Sequence, residues 1–230
     1  MSTEALEPGG LYRLLAWLSP SFPVGAFSYS HGLEWLVETG VVRDEVALAA
    51  WVRDVLAVGS GFSDAILFAA AYRAARSGDI DELADIAELS AAFCPGAERH
   101  LETTAQGRAF AEAVAGWDVP TLGALTEIYD SALGYPVAVA IAVADHGIPL
   151  DTGLHAYLHA FAANLISAGL RLIPLGQTSG QRVTLAIEQA IKDCAARASV
   201  GSLDDMGSGL LLTDLASLQH ETQYTRLFRS

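Results

Sequence analysis

The chain has 230 residues, 52% of them apolar and 17% charged, a composition that builds a core and excludes a disordered chain. Thirteen basic against 27 acidic side chains leave a formal charge of −14, and the single lysine, Lys192, accompanies twelve arginines. So acidic a surface repels phosphate backbones and argues against nucleic-acid binding.

Residues 1–10 are acidic and Gly/Pro-rich, without the basic and apolar runs of a secretory signal, and read as a flexible N-terminus. Leu11, Leu14, Leu15 and Leu18 then form a helical stripe that ends at Ser19-Pro20. The next stretch, residues 19–34, combines two prolines, two glycines in a short span and the aromatics Phe22, Phe27 and Tyr29. Two readings stand for it. The aromatics pin a loop to the core while Ser28 or Ser30 caps the next helix, or the loop is a binding surface.

Asp44 is the expected N-cap of a helix carrying Leu48, Trp51, Val52, Val55 and Leu56. Asp79 with Glu82 reads as a capping box for a helix that Pro95-Gly96 closes. Tyr135 to Val143 alternates like a strand but has no partner strand, so a buried helix is expected. Leu154, Leu158, Phe161, Leu165, Ala168 and Leu172 mark a long helix, with Ala156, Ala160, Ala163 and Ser167 as a second, small-residue face for a close helix contact. Its histidines, Asn164 and Arg171 make it a buried helix and not a membrane span. Thr178 with Gln181 is expected to box the start of one further helix through Cys194. Forty alanines and the absence of convincing period-two runs give an all-α protein. We expect a single helical-bundle-like domain over residues 1–230, of about ten helices by the usual helix length. Cys94 and Cys194 are far apart in sequence and suit a reducing compartment, although one disulfide between them stays open.

The chemistry is mostly one of absences. No P-loop, nucleophile elbow, dinucleotide fingerprint, C-x-x-C or H-E-x-x-H occurs. His155 and His159 have i, i+4 metal-ligand spacing but no evident third ligand, and the alternative reading as polar edges of a packed helix stays beside it. Asn164, Arg171 and Gln177 read as polar interior or structural groups; a C-terminal arginine answering the helix dipole accounts for Arg171. At the end of the chain His220, Glu221, Tyr224, Arg226, Leu227, Phe228 and Arg229 mix aromatic and basic groups as interface anchors do. Residues 219–230 are therefore expected to be a docking tail that orders on a partner.

Three long segments resemble the UreF family of urease accessory proteins: residues 19–34, Arg171 to Thr178 and His220 to Ser230. Gln106-Gly107-Arg108 and Tyr135-Pro136-Val137 match two weaker family positions in the same order, so the resemblance spans nearly the whole chain. It departs at Pro95 to Arg99, where relatives have a Ser-Arg-Glu-like stretch, and at Leu218-Gln219. The resemblance implies an all-helical, non-enzymatic, cytoplasmic protein that dimerises and binds UreD (UreH in some organisms). It further implies that the pair recruits the GTPase UreG to apo-urease, with nickel as cargo and no stably bound cofactor. Phe22, Phe27, Tyr29 and Glu34 with the tail residues would contact partners, and a tail arginine acting on the UreG nucleotide is the sharper form of that idea. If nickel crosses the protein, His31, Glu34, Asn164 and Arg171 would mark a polar path. A helical metal-dependent enzyme built on His155 and His159, or a generic helical adaptor, is the alternative function.

Overall fold

The computed structural model describes residues 7–230. Part of the expected flexible N-terminus, residues 1–6, lies outside the described residues. Among the described residues there are twelve α-helices, three short 3-10 helices and no strand, so the fold is all-α as expected. In chain order they are α1 (Pro8–Trp17), α2 (Leu33–Glu38), α3 (Glu45–Val58), α4 (Ser60–Ser77), α5 (Ile80–Ala92), α6 (Ala97–Val114), α7 (Pro120–Ile128), α8 (Tyr135–Asp145), α9 (Leu150–Leu172), α10 (Gln177–Ala186), α11 (Glu188–Val200) and α12 (Leu211–His220). The 3-10 turns are Ala26–Ser28, Ala115–Trp117 and Leu203–Asp205.

The alternating run at Tyr135 is the centre of the molecule. Every residue of α8 from Pro136 to Ala144 is buried, because alanines and β-branched residues together cover the whole circumference of the helix. It packs on α4 and α6, with α9 alongside and α3, α10 and α11 outside. One contiguous apolar cluster runs through all of these elements. An aromatic ladder crosses it from Phe68 through Tyr157, Tyr135 and Phe110 to Trp17, each ring 5.4–6.4 Å from the next. The helical stretch Glu45–Ser77 is long and apolar enough to cross a membrane, and 72% of its apolar window is buried inside the protein.

Caps follow the sequence in two places and depart from it in a third. Asp44 accepts from the Ala47 amide and Asp79 from the Glu82 amide, each at 2.9 Å. The Asp79 amide itself bonds the Ala74 carbonyl, so only half of that capping box forms. Thr178 does not cap α10: Gly176, in an extended conformation, is the N-cap, and Thr178 lies inside the first turn. The helix expected from Thr178 to Cys194 is divided at Ile187 (φ −97°, ψ −2°) into α10 and α11. A second break, at Gly59, separates α3 from α4. Neither break carries a proline.

Other expectations change with the packing. Pro8 to Gly10 are helical, since Pro8 at the first position is pre-set for a helix. Only Leu14 of the fully aligned leucine stripe is buried in α1, with Trp17 and Gly10; Leu11 and Leu15 face outward. Trp17 takes the space between Phe110, Trp117 and His146 and so sets the rotation of the helix. Cys94 and Cys194 are both free, and burial pushes their thiols up to about 11 and about 12.

Gly107 lets α6 meet the start of α8. A Cβ there would lie 2.0 Å from the Leu133 carbonyl oxygen, a backbone atom that cannot swing away. Gly107→Ala is therefore expected to destabilise by about 3 kcal/mol despite its better helix propensity. Gly123→Ala on α7, where a Cβ meets nothing within 4 Å, should stabilise by up to about 1 kcal/mol. Denaturant titration of the two variants checks both signs.

Candidate functional site

The site begins with α6, which buries a polar seam. Glu98, Arg99, Glu102, Thr103 and Gln106 recur at helical spacing on its inner face before Phe110 and Val114 continue the same face as core. Sequence reading passed over this seam because it sought apolar periodicity, and Glu98, Arg99 and Glu102 were not among the candidates. The signal was present as Glu98, Glu102 and Gln106 at i, i+4 and i+8.

Opposite the seam stand α2 and α12. His31 (φ +58°) and Gly32 (φ +75°) are both left-handed and turn the chain sharply into α2. At Gly32 a Cβ would lie 2.6 Å from the Ser217 amide nitrogen, so glycine is required both by φ and by the close approach of α12. That approach brings His220, fully buried, between two carboxylates: Nδ1 is 2.7 Å from Glu98 and Nε2 is 3.1 Å from Glu34. Its two ring nitrogens thus face one carboxylate each.

From His220 the tail runs back over the same groups. Glu221 accepts from the Ala97 amide at 2.8 Å, placing an anion on the otherwise uncapped N-terminus of α6. Arg226 Nη1 donates to Glu98 at 2.5 Å, and Glu34 accepts the Leu227 and Phe228 amides at 2.7 and 2.9 Å. The Arg229 amide donates to the Ser28 carbonyl at 2.8 Å. The Ser30 amide and hydroxyl both donate to the Ser230 carbonyl, and the Ser230 hydroxyl donates to Glu102 at 2.9 Å. Phe228 is buried under the Arg171 guanidinium, 4.2 Å from its ring centre.

Beneath the tail lies the Arg99–Glu102–His31 group. Arg99 Nη1 donates to Glu102 at 2.5 Å and to His31 Nδ1 at 2.8 Å. Since arginine only donates, Nδ1 accepts and the proton sits on Nε2, which is buried without a partner. Burial, reinforced by the Arg99 charge, lowers the His31 pKa. Burial alone would raise Glu102, but the Arg99 charge foremost, with the Ser230 hydroxyl, holds it at about 2. Burial likewise opposes the Arg99 charge, and the surrounding acidic groups, Glu102 foremost, outweigh it and leave Arg99 raised.

A family model described as UreF matches residues 42–188. The chain is 55% identical to the urease accessory protein UreF of Bradyrhizobium diazoefficiens over 227 residues, which cover 98% of this chain and 94% of that protein. It is 55% identical to the UreF of Rhodopseudomonas palustris strain BisB5 over 228 residues (99% of this chain, 94% of the relative) and 52% identical to that of strain BisA53 over 237 (99% and 100%). The chain belongs to the UreF family. Its curated relatives carry the name of an accessory protein, the class expected from the sequence in place of an enzyme.

In this UreF chain the expected contact residues fall into two groups. Tyr29, Glu34, His220 and Phe228 are buried within the chain, and Phe22 packs on the core beside Phe110. For the two polar groups burial follows from what they hold, since Glu34 and His220 anchor the tail. Phe27 (67% exposed), Tyr224, Arg226, Leu227 (66%) and Arg229 remain on the surface. The tail thus orders on its own chain. Arg171 and Gln177 are exposed and not interior; Arg171 sits in the last turn of α9, covers Phe228 and bonds the Ser167 carbonyl at 3.3 Å. Asn164 is half-buried and lines a cavity together with His31, whereas Glu34 and Arg171 are not in its wall.

Metal chemistry finds no support in the side chains. Among the described residues no three His, Cys, Asp or Glu are placed to share an ion. His155 Nδ1 is 2.7 Å from the Asp151 carbonyl, and Glu188, which lines the same groove as His155 and His159, is paired with Lys192 at 2.5 Å. On α9, His155 is half-buried and His159 exposed.

Two outcomes follow. In Glu34→Ala the Leu227 and Phe228 amides should exchange at least about tenfold faster, with the core helices unchanged, when followed by hydrogen exchange. The Glu102 pKa is depressed in the folded chain, so its contribution is present above its ordinary value of 4.5 and is lost as pH falls towards about 2. Glu102→Gln should cost about 3 kcal/mol at pH 7 by stranding Arg99, and the deficit should shrink towards pH 3 in denaturant titrations.

Proposed function

We propose that this chain is a non-enzymatic scaffold of urease maturation. Together with UreD or UreH it recruits the GTPase UreG to apo-urease and supports nickel insertion, the nickel being cargo of the assembly. It acts as a homodimer in the cytoplasm. Family membership and relatives named as urease accessory proteins support this reading.

The observation that carries it is the docked tail. Its backbone is fixed on Glu34, Ser28 and Ser30, so Tyr224, Leu227 and Arg229 stand outward on a held frame. Beside them α12 exposes Leu211, Leu215 and Leu218 at i, i+4 and i+7, an apolar stripe on an otherwise acidic protein. Aromatic, leucine and arginine groups on ordered backbone are well suited to partner binding, because little entropy is lost on docking.

The two tail arginines differ. Arg226 is spent on Glu98, while the Arg229 side chain makes no hydrogen bond or ion pair among the described residues. Arg229 is the arginine available to UreG.

The test is co-expression and pull-down of the full chain with UreD and UreG. Arg229→Ala combined with Tyr224→Ala should lower UreG capture at least about tenfold while stability stays within about 0.5 kcal/mol. Truncation after Leu218 should also abolish capture, but it removes His220 and Glu221, so the surface pair is the cleaner probe. Equal capture by the double variant would remove the tail from the docking surface. Failure of the intact chain to capture either folded partner would overturn the scaffold reading. Unchanged UreG GTP turnover with Arg229→Ala in an intact complex would limit that arginine to docking.

A further inference from the structure

A cavity of about 390 Å³ lies between residues 18–27 and the helices α4, α6, α8 and α9. No residue of α12 or the tail lines it. Its volume is in the range that holds small organic molecules.

The walls are of two kinds. Phe22 and Phe27 from the loop and Phe161 from α9 make an apolar side, and the small residues Ala160, Ala163 and Ser167 of α9 leave the space open. Asp64, Arg99, Tyr135 and Tyr157 make a polar floor, drawn from four different helices. Convergence of four helices on one polar floor beneath aromatic rings is the usual anatomy of a ligand site.

The floor has unspent hydrogen-bonding capacity. Asp64 Oδ2 accepts the Tyr157 hydroxyl at 3.1 Å, and its other oxygen has no protein donor among the described residues. The Tyr135 hydroxyl has no partner there either. Arg99 is paired with Glu102 at 2.5 Å and makes no hydrogen bond or ion pair with Asp64 among the described residues. Burial accordingly raises its pKa to about 6, a shift the Arg99 charge only partly offsets. A metal ion does not answer this need, since the described residues bring no three ligating side chains together. An organic ammonium does: it donates to the free Asp64 oxygen, and its positive charge is favoured by the flanking tyrosine rings.

We propose that this cavity binds a small primary amine, the ammonium held by Asp64 and its apolar body lying against Phe22, Phe27 and Phe161. The site is separate from the tail surface and does not depend on the scaffold reading.

Benzylamine is a suitable probe, with benzyl alcohol as the uncharged molecule of the same shape. Titrated into the full chain and followed by amide chemical shifts, benzylamine should bind saturably, one per chain, with a Kd of about 1 mM or below. Shifts should centre on residues 20–27 and on α9. Benzyl alcohol should bind about tenfold more weakly or worse, and Asp64→Asn should reduce benzylamine affinity by a similar factor. Asp64→Asn removes a costly buried charge, so its thermal midpoint should not fall, and lost binding then reports on the site. Phe27→Ala, at an exposed ring, should weaken the amine several-fold with the fold intact. Equal affinity for amine and alcohol, binding insensitive to Asp64→Asn, or no saturable binding by the folded chain would each overturn the proposal.

Discussion

The fold depends on bringing acids inside. Glu34, Glu98 and Glu102 are all buried in a protein already carrying fourteen excess negative charges. A carboxylate in that position is tolerated only when hydrogen-bonded and opposed by a cation. Each acid is hydrogen-bonded, in every case by at least one group from a distant segment: Glu34 by His220 and tail amides, Glu98 by His220 and Arg226, Glu102 by Arg99 and Ser230. The tail is consequently part of the interior's electrostatics. That gives it one position, where an apolar seam would have tolerated several.

This same constraint explains why the α2 entry is strained. Two consecutive left-handed residues, His31 and Gly32, are an expensive way to begin a helix, and His31 has no glycine freedom to excuse it. The turn is held because His31 accepts from Arg99 on one side and its ring packs edge-on against Phe161 at 5.1 Å on the other. Loop, seam and α9 therefore share one residue, and the cavity wall and the tail anchorage meet there.

Much of the helical architecture was legible. Asp44, Asp79, Pro20 and Pro95 mark element ends by local chemistry, and α8 was recognised despite its strand-like alternation because nothing could pair with it. What escaped notice came from tertiary packing. Trp17 overrode the leucine stripe of α1, and Ile187 divides a pattern that is continuous in apolar period. At the site, sequence reading located Glu34, as a partner contact or as part of a polar path, and the tail as a docking element, but not the bonds between them, because the partner of a buried acid lies far along the chain. Glu98, Arg99, Glu102 and Asp64 were missed for the same reason: each is an ordinary helix-surface residue until the groups it faces are known.

The cap that Glu221 places on α6 has a consequence for biosynthesis. Glu98 and Glu221 are separated by 221 − 98 = 123 positions, a delay of about 6–25 s at ordinary translation speeds. During that interval α6 emerges with its N-terminal amides bare and its acidic seam facing no histidine or arginine from the tail. The nascent chain can bury α8 and the aromatic ladder before then, but its last acids stay solvated until residues 220–230 have been made. The interior is thus completed late, and a product truncated before His220 would expose an acidic groove where the intact molecule has a closed one.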